Sequence, residues 1–184
     1  MKVVLTDYSG TIVLVVVLIL LFGLYLSWTA NRLDRLHLRL DAAKVALDGQ
    51  LVRRASVTME LAQSGVLDPA TSLLLATAAR EARDAEDEDR ETAESALTRD
   101  LRAAFYEPEQ LTEVRASLVG PALLDELATS AKRVQLARQF YNESVRTVRL
   151  LRSHRLVRAF RLAGRAPDKP NFDIDDTPPD LTRK

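Results

Sequence analysis

Gly10 to Trp28 reads GTIVLVVVLILLFGLYLSW, and it decides how the rest of the chain is read. The stretch carries no charge and no proline, and its only clearly polar side chains are Thr11 and Ser27. At about 1.5 Å per helical residue, nineteen residues extend roughly 28 Å, close to the thickness of a bilayer's hydrocarbon core. Tyr8 precedes the run, and Tyr25 and Trp28 close it, where amphipathic rings meet lipid headgroups. The pattern predicts a transmembrane helix over 10–28, preceded by a short segment, 1–9.

A cleaved signal peptide has a basic start, a shorter apolar region and a small-x-small cleavage site. Here Lys2 is the only base before the run and Asp7 offsets it, while the exit sequence Ser-Trp-Thr-Ala-Asn-Arg is a poor cleavage site. A core helix of a soluble protein rarely needs so long an unbroken apolar run. Past the span come Arg32, Arg35, Arg39 and Lys44. Four bases against one orient the chain with its N-terminus outside and the remainder in the cytoplasm of a cell membrane.

Beyond the span, apolar residues recur at steps of three and four. Leu33, Leu36, Leu40, Ala43, Leu47, Leu51, Ala55, Met59 and Ala62 form one helical face, and no proline interrupts it before Pro69. Ser64-Gly65 suits a helix stop, with Gly65 in the left-handed conformation, and Asp68-Pro69 suits a helix start. A second helical region runs to about Tyr106. Its acidic middle, Asp84 to Arg90, is either a solvated face or a turn. Glu107-Pro108 and Gly120-Pro121 bracket a short segment of a turn or two. Pro121 then opens a last helix with the face Leu124, Leu127, Ala131, Val134, Ala137, Tyr141, Val145, Val148 and Leu151. No period-two strand pattern of useful length is present. The expected fold is all-α, with the transmembrane helix continuous with an antiparallel three- to four-helix bundle over 31–164. The tail, 165–184, has four Pro, five Asp and few apolar residues, and is expected to be extended or disordered.

The zero net charge hides a strong segregation. Glu81 to Glu113 holds twelve acids and four bases, and Lys132 to Arg165 holds ten bases and one acid. Within the basic part, Arg146, Arg149, Arg152, Arg155, Arg158 and Arg161 recur every three residues, followed by Arg165. A step of three turns an α-helix by about 300°, so the guanidinium groups wind around the helix instead of forming one stripe. They are candidates to face anionic lipid, at about 1 kcal/mol for each base near such a surface. They equally suit a solvated helix end that complements the helix dipole. Nucleic-acid binding by this helix is disfavoured, because stacking aromatics are not interleaved with the Arg residues and the total charge is zero.

The inventory for catalysis is poor. The chain has no Cys, only His37 and His154, and no Gly-rich phosphate loop. Asp34 and His37 share a helix face, but the paired Glu-x-x-His motifs of a bundle di-metal site are missing. No enzyme activity, cofactor or metal is expected.

Two segments carry a family resemblance. Leu47 to Ala55 (LDGQLVRRA) on the first soluble helix and Ala137 to Val145 (ARQFYNESV) on the last, behind an N-terminal span, resemble the LemA family of bacterial membrane proteins. Arg32 to His37 (RLDRLH) and the Arg-rich ending resemble its actinobacterial branch. The resemblance implies four bundled helices on a single-pass anchor, with no established biochemical activity. The chain departs from the family pattern at Ser56-Val57-Thr58-Met59, where Leu-Ile-Pro-Asn is usual. It also lacks a second Tyr-Asn after Asn142, where Arg146 and Arg149 stand.

Arg53, Arg54, Arg138, Tyr141 and Asn142 lie beside core positions of the two long helices. They are expected either to fix the register of the helix pair or to line a partner groove. The expected role is a cytoplasm-facing scaffold or adaptor for other proteins, with lipid at its basic end and a second copy of the chain as a further candidate partner. The alternative is an envelope-signal relay through the continuous first helix.

Overall fold

The structure is a computed structural model that describes residues 2–153 and 169–181. Among these residues it is all-helical: α1 is Lys2–Gln63, α2 Pro69–Asp84, α3 Arg90–Ala104, α4 Pro108–Ala116 and α5 Gly120–Ser153. The acidic middle of the second helical region resolves into a break at 85–89, so that region is two helices.

Two compact units divide the chain. Residues 2–40, 144–153 and Lys169 fall in the first, and 41–143 with 170–181 in the second. In the first unit, the early part of α1 is long and apolar enough to cross a membrane. From Ile12 to Tyr25 its large apolar side chains are exposed, Ile12 by 61% and Leu24 by 67%, unlike those of a core helix in a soluble protein. Arg32 sits over the Trp28 ring, 5.7 Å from its centroid, and the Thr29 hydroxyl donates to the Tyr25 carbonyl at 2.9 Å. Leu33 and Leu40 of α1 and Val145 and Val148 of α5 are buried.

In the second unit every helix contributes to one core. It includes Val57 and Leu61 of α1, Leu75 and Ala79 of α2, Leu97 and Leu101 of α3, Leu111 and Val114 of α4, and Leu124 and Leu127 of α5. The ion pairs Lys44–Asp87, Asp48–Arg90 and Arg54–Glu94 advance together along α1 and the α3 side.

Local chemistry sets the breaks. Gly65 takes φ +74°, open to glycine without strain, and ends the first helix. The Asp68 carboxylate accepts from the Ala70 and Thr71 amides at 2.9 and 3.0 Å, capping α2 ahead of Pro69. At the α4–α5 corner the Ser117 hydroxyl donates to the Val114 carbonyl and accepts from the Gly120 amide, at 2.7 and 3.0 Å. A methyl group on Gly120 would lie 1.9 Å from that same carbonyl oxygen. Only glycine fits there.

Of the two states expected of the tail, residues 169–181 take the extended one, packed against the helices and not disordered, while 165–168 and 182–184 lie outside the described residues. That segment has no helix or strand, but Ile174 and Leu181 are buried and Leu181 belongs to the core of the second unit. Its backbone is bonded by helix side chains in place of water, which removes the penalty that keeps polar segments in solvent.

Candidate functional site

The five polar residues singled out on the long helices separate into two sites. Arg53 and Arg54 are neighbours on α1, and the helix turns about 100° between them. Arg53 is exposed and pairs with Glu126 of α5. Arg54 is 2% exposed and Glu94 of α3 only 1%. The Arg54 guanidinium donates to the Glu94 carboxylate at 2.5 Å, to the Glu94 carbonyl at 3.2 Å and to the Thr98 hydroxyl at 3.0 Å. Thr98 in turn donates to the Glu94 carbonyl at 3.1 Å, and Arg54 Nε has no partner. Burial pushes the Glu94 carboxyl above its ordinary value, against the pull of the Arg54 charge. A buried pair of this kind fixes the register of two helices, and breaking one half leaves an uncompensated charge. Glu94 and Thr98 are not among the polar residues that the sequence sets beside the core of the two long helices. Their signal was present, since 94, 98 and 101 lie on one face of α3 with Leu97 beside them.

Arg138, Tyr141 and Asn142 of α5 meet at a groove shared with α3, and the chain's own segment 170–181 fills it. Asn142 grips the backbone of Phe172 twice, donating from Nδ2 to its carbonyl at 3.0 Å and accepting from its amide on Oδ1 at 2.8 Å. The Tyr141 hydroxyl donates to the Pro170 carbonyl at 3.1 Å, and Gln135 donates to the Asp176 carbonyl at 2.8 Å. Arg138 holds the Asp176 carboxylate with two donors, at 2.7 and 3.2 Å, and lies 4.0 Å from Asp173.

The α3 side answers with acceptors for the next amides. The Asp173 amide donates to Glu91 at 3.0 Å and the Asp175 amide to the Ser95 hydroxyl at 3.1 Å. Arg102 donates to the Asp175 carboxylate at 3.0 Å. The Thr177 amide, ahead of Arg102, holds the Asp175 carboxyl below the usual aspartate range. Arg115 of α4 donates to the Leu181 carbonyl. Glu91, Ser95, Arg102 and Gln135 were not legible in advance, because nothing along α3 or α5 says that an extended strand lies between them.

Of the basic series, Arg146 and Arg149 are exposed and Arg152 is half-buried at the end of α5. Arg149 donates to the Lys169 carbonyl at 3.0 Å in the first unit. Arg155, Arg158, Arg161 and Arg165 lie outside the described residues, as do Phe160 and His154. His37 is half-buried and Asp34 exposed, and no group of three metal-binding side chains occurs among the described residues.

Comparison with protein families, with curated proteins and with solved structures finds no match to this chain.

Proposed function

We propose that the chain is a single-pass membrane scaffold whose antiparallel helical bundle faces the cytoplasm and binds other proteins. One observation carries the reading. Between Ile12 and Trp28 α1 exposes nearly all of its large apolar side chains, and the same unbroken helix carries Arg54, Val57 and Leu61, which are buried in the second unit. Such a helix is an anchor on one side and a structural member on the other. The ion pairs that advance together along α1 and α3 support the bundle, as does the resemblance to the LemA family. The excess of Arg and Lys after the span supports the cytoplasmic side, and the basic end of α5 supports a contact with anionic lipid.

Fractionation and protease treatment of intact cells test the anchor and its orientation: the protein is expected in the membrane fraction, with residues 31–153 protected. Digestion of that part from outside would reverse the orientation. In-cell photocrosslinking from exposed Leu136 on α5 is expected to capture a discrete protein, and a crosslink profile identical to that of an unanchored control would remove the scaffold reading.

A second reading is favoured by the continuity of α1, 62 residues without a break. A relay through that helix predicts that one residue inserted near Asn31, a rotation of about 100°, alters partner binding without altering the melting temperature. Binding indifferent to the insertion removes it.

A further inference from the structure

The segment 170–181 lies against the helices much as a bound peptide would, with Leu181 reaching their core. Within itself it makes a few local turns, among them Thr177 amide to Asp175 and Leu181 amide to Pro179. Its described bonds to helix residues come from α3, α4 and α5. The geometry of that hold is general. Along α3 the acceptors Glu91 and Ser95 are four residues apart, a rise of about 6 Å. The amides they accept from, Asp173 and Asp175, are two residues apart on an extended chain, about 6.6 Å. A helical step of four therefore matches an extended step of two. On the other side of the strand, Asn142 takes both backbone groups of Phe172, and Arg138, one helical turn earlier, takes the side chain four residues on, at Asp176. The segment runs with α3 and against α5.

Most of these bonds read backbone, so any extended chain satisfies them. The side-chain selection is narrow: one apolar residue in the buried place of Ile174, followed by carboxylates opposite Arg102 and Arg138. A peptide bound by its backbone with pockets for alternate side chains is a recurring mode of recognition.

We propose that the α3–α5 groove is a receptor for an extended acidic segment of another protein, patterned apolar-Asp-apolar-Asp-Asp, and that residues 170–181 are its built-in competitor. The proposal rests on the scaffold reading and gives it a site. While the internal segment is docked, the groove is open for only a fraction of the time, and the apparent affinity for an outside peptide falls by that fraction.

The test uses the full-length chain in nanodiscs and a fluorescent peptide with the sequence of residues 169–181, KPNFDIDDTPPDL, followed by anisotropy. Two substitutions in the chain's own segment, Asp175→Lys and Asp176→Lys, release it while keeping Ile174 and Leu181. This variant is expected to bind the probe at least tenfold more tightly than the wild-type chain. Adding Arg138→Glu, or separately Asn142→Ala, is expected to remove at least tenfold of that affinity at unchanged helicity. A released variant with wild-type helicity that does not bind the probe overturns the proposal, as does binding insensitive to both groove substitutions. If Asp175→Lys/Asp176→Lys and a second release variant, Ile174→Asp, both lose helicity, the segment is part of the core and the proposal also fails. Wild-type dimers that the free peptide dissolves would make a second copy the occupant, overturning the assignment to another protein. None of these failures touches the scaffold reading, which stands or falls on the crosslinks from Leu136.

Discussion

The buried pair on α1 and α3 and the groove on α3 and α5 use the same chemistry, guanidinium against carboxylate, to opposite ends. Arg54 and Glu94 are sealed from water and make a helix register that is costly to leave. Arg138 and Asp176, with side chains 22% and 13% exposed, are one fastening among several on a segment that Asn142 and Tyr141 also grip and that buried Ile174 and Leu181 seat. One α3 helix serves both, with Glu94 and Thr98 turned inward and Glu91, Ser95 and Arg102 turned to the strand. The difference teaches that burial, and not the identity of the pair, decides whether an ion pair is framework or fastening.

The largest effect expected is at the framework. Arg54→Met leaves Glu94 buried without a partner and is expected to destabilise the fold by about 3–5 kcal/mol, read by urea denaturation. Arg54→Met with Glu94→Leu restores much of that loss, because no lone charge remains. An additive double variant would show that the pair is not coupled.

In the groove, Asn142→Ala removes two bonds to the Phe172 backbone and is expected to weaken docking by about 1.4–3 kcal/mol. Hydrogen exchange at the Phe172 amide should speed up while the amides of α1 and α3 stay protected. Loss of protection throughout would make the segment part of the framework and erase the distinction.

Acid separates the two sites by sign. Burial raises Glu94, so the folded state holds its proton at a pH where the unfolded chain has released it. Its contribution therefore favours folding as pH falls and opposes it as pH rises through the raised value. Asp175 is lowered by the Thr177 amide and by Arg102. Its contribution to docking is complete above the ordinary aspartate value and is lost as pH falls through the depressed one. An NMR titration is expected to show the Asp175 carboxyl titrating below the ordinary range and Glu94 above it. The reverse order would contradict the burial argument.

The smallest effect belongs to the neighbour of the framework arginine. Arg53→Ala loses an exposed pair with Glu126, with side chains 53% and 41% exposed, and is expected to cost about 0–1 kcal/mol. A loss as large as that of Arg54→Met would mean that sequence adjacency outweighs helix face.

Much of the fold was legible because helical faces announce themselves. Leu47, Leu51 and Ala55, and Leu127, Ala131 and Val134, read as faces and are buried. Gly65 and Asp68-Pro69 read as a stop and a start and act so. Arg54 stood out as a polar residue beside the core, but its partner did not, because Glu94 is separated from it by forty residues and two breaks between helices. That the extended tail is also docked was hidden for a related reason. Composition measures how little a segment buries by itself, whereas Phe172-Asp173-Ile174-Asp175 is held by groups that other helices bring to it. Its alternation of apolar and acidic residues spans only four positions, too short to read as a strand pattern.

The corner at Gly120 has a use beyond holding α4 to α5. The Ser117 hydroxyl bridges the last carbonyl turn of one helix to the first amide of the next, and the carbonyl of Val114 leaves no space for a methyl group at 120. Ser-x-x-Gly-Pro at 117–121 is thus a fingerprint imposed by sterics and not by ancestry. A chain that shares this corner must keep the glycine however far the rest of its sequence has drifted, so these five positions are the place to anchor a comparison with a distant relative.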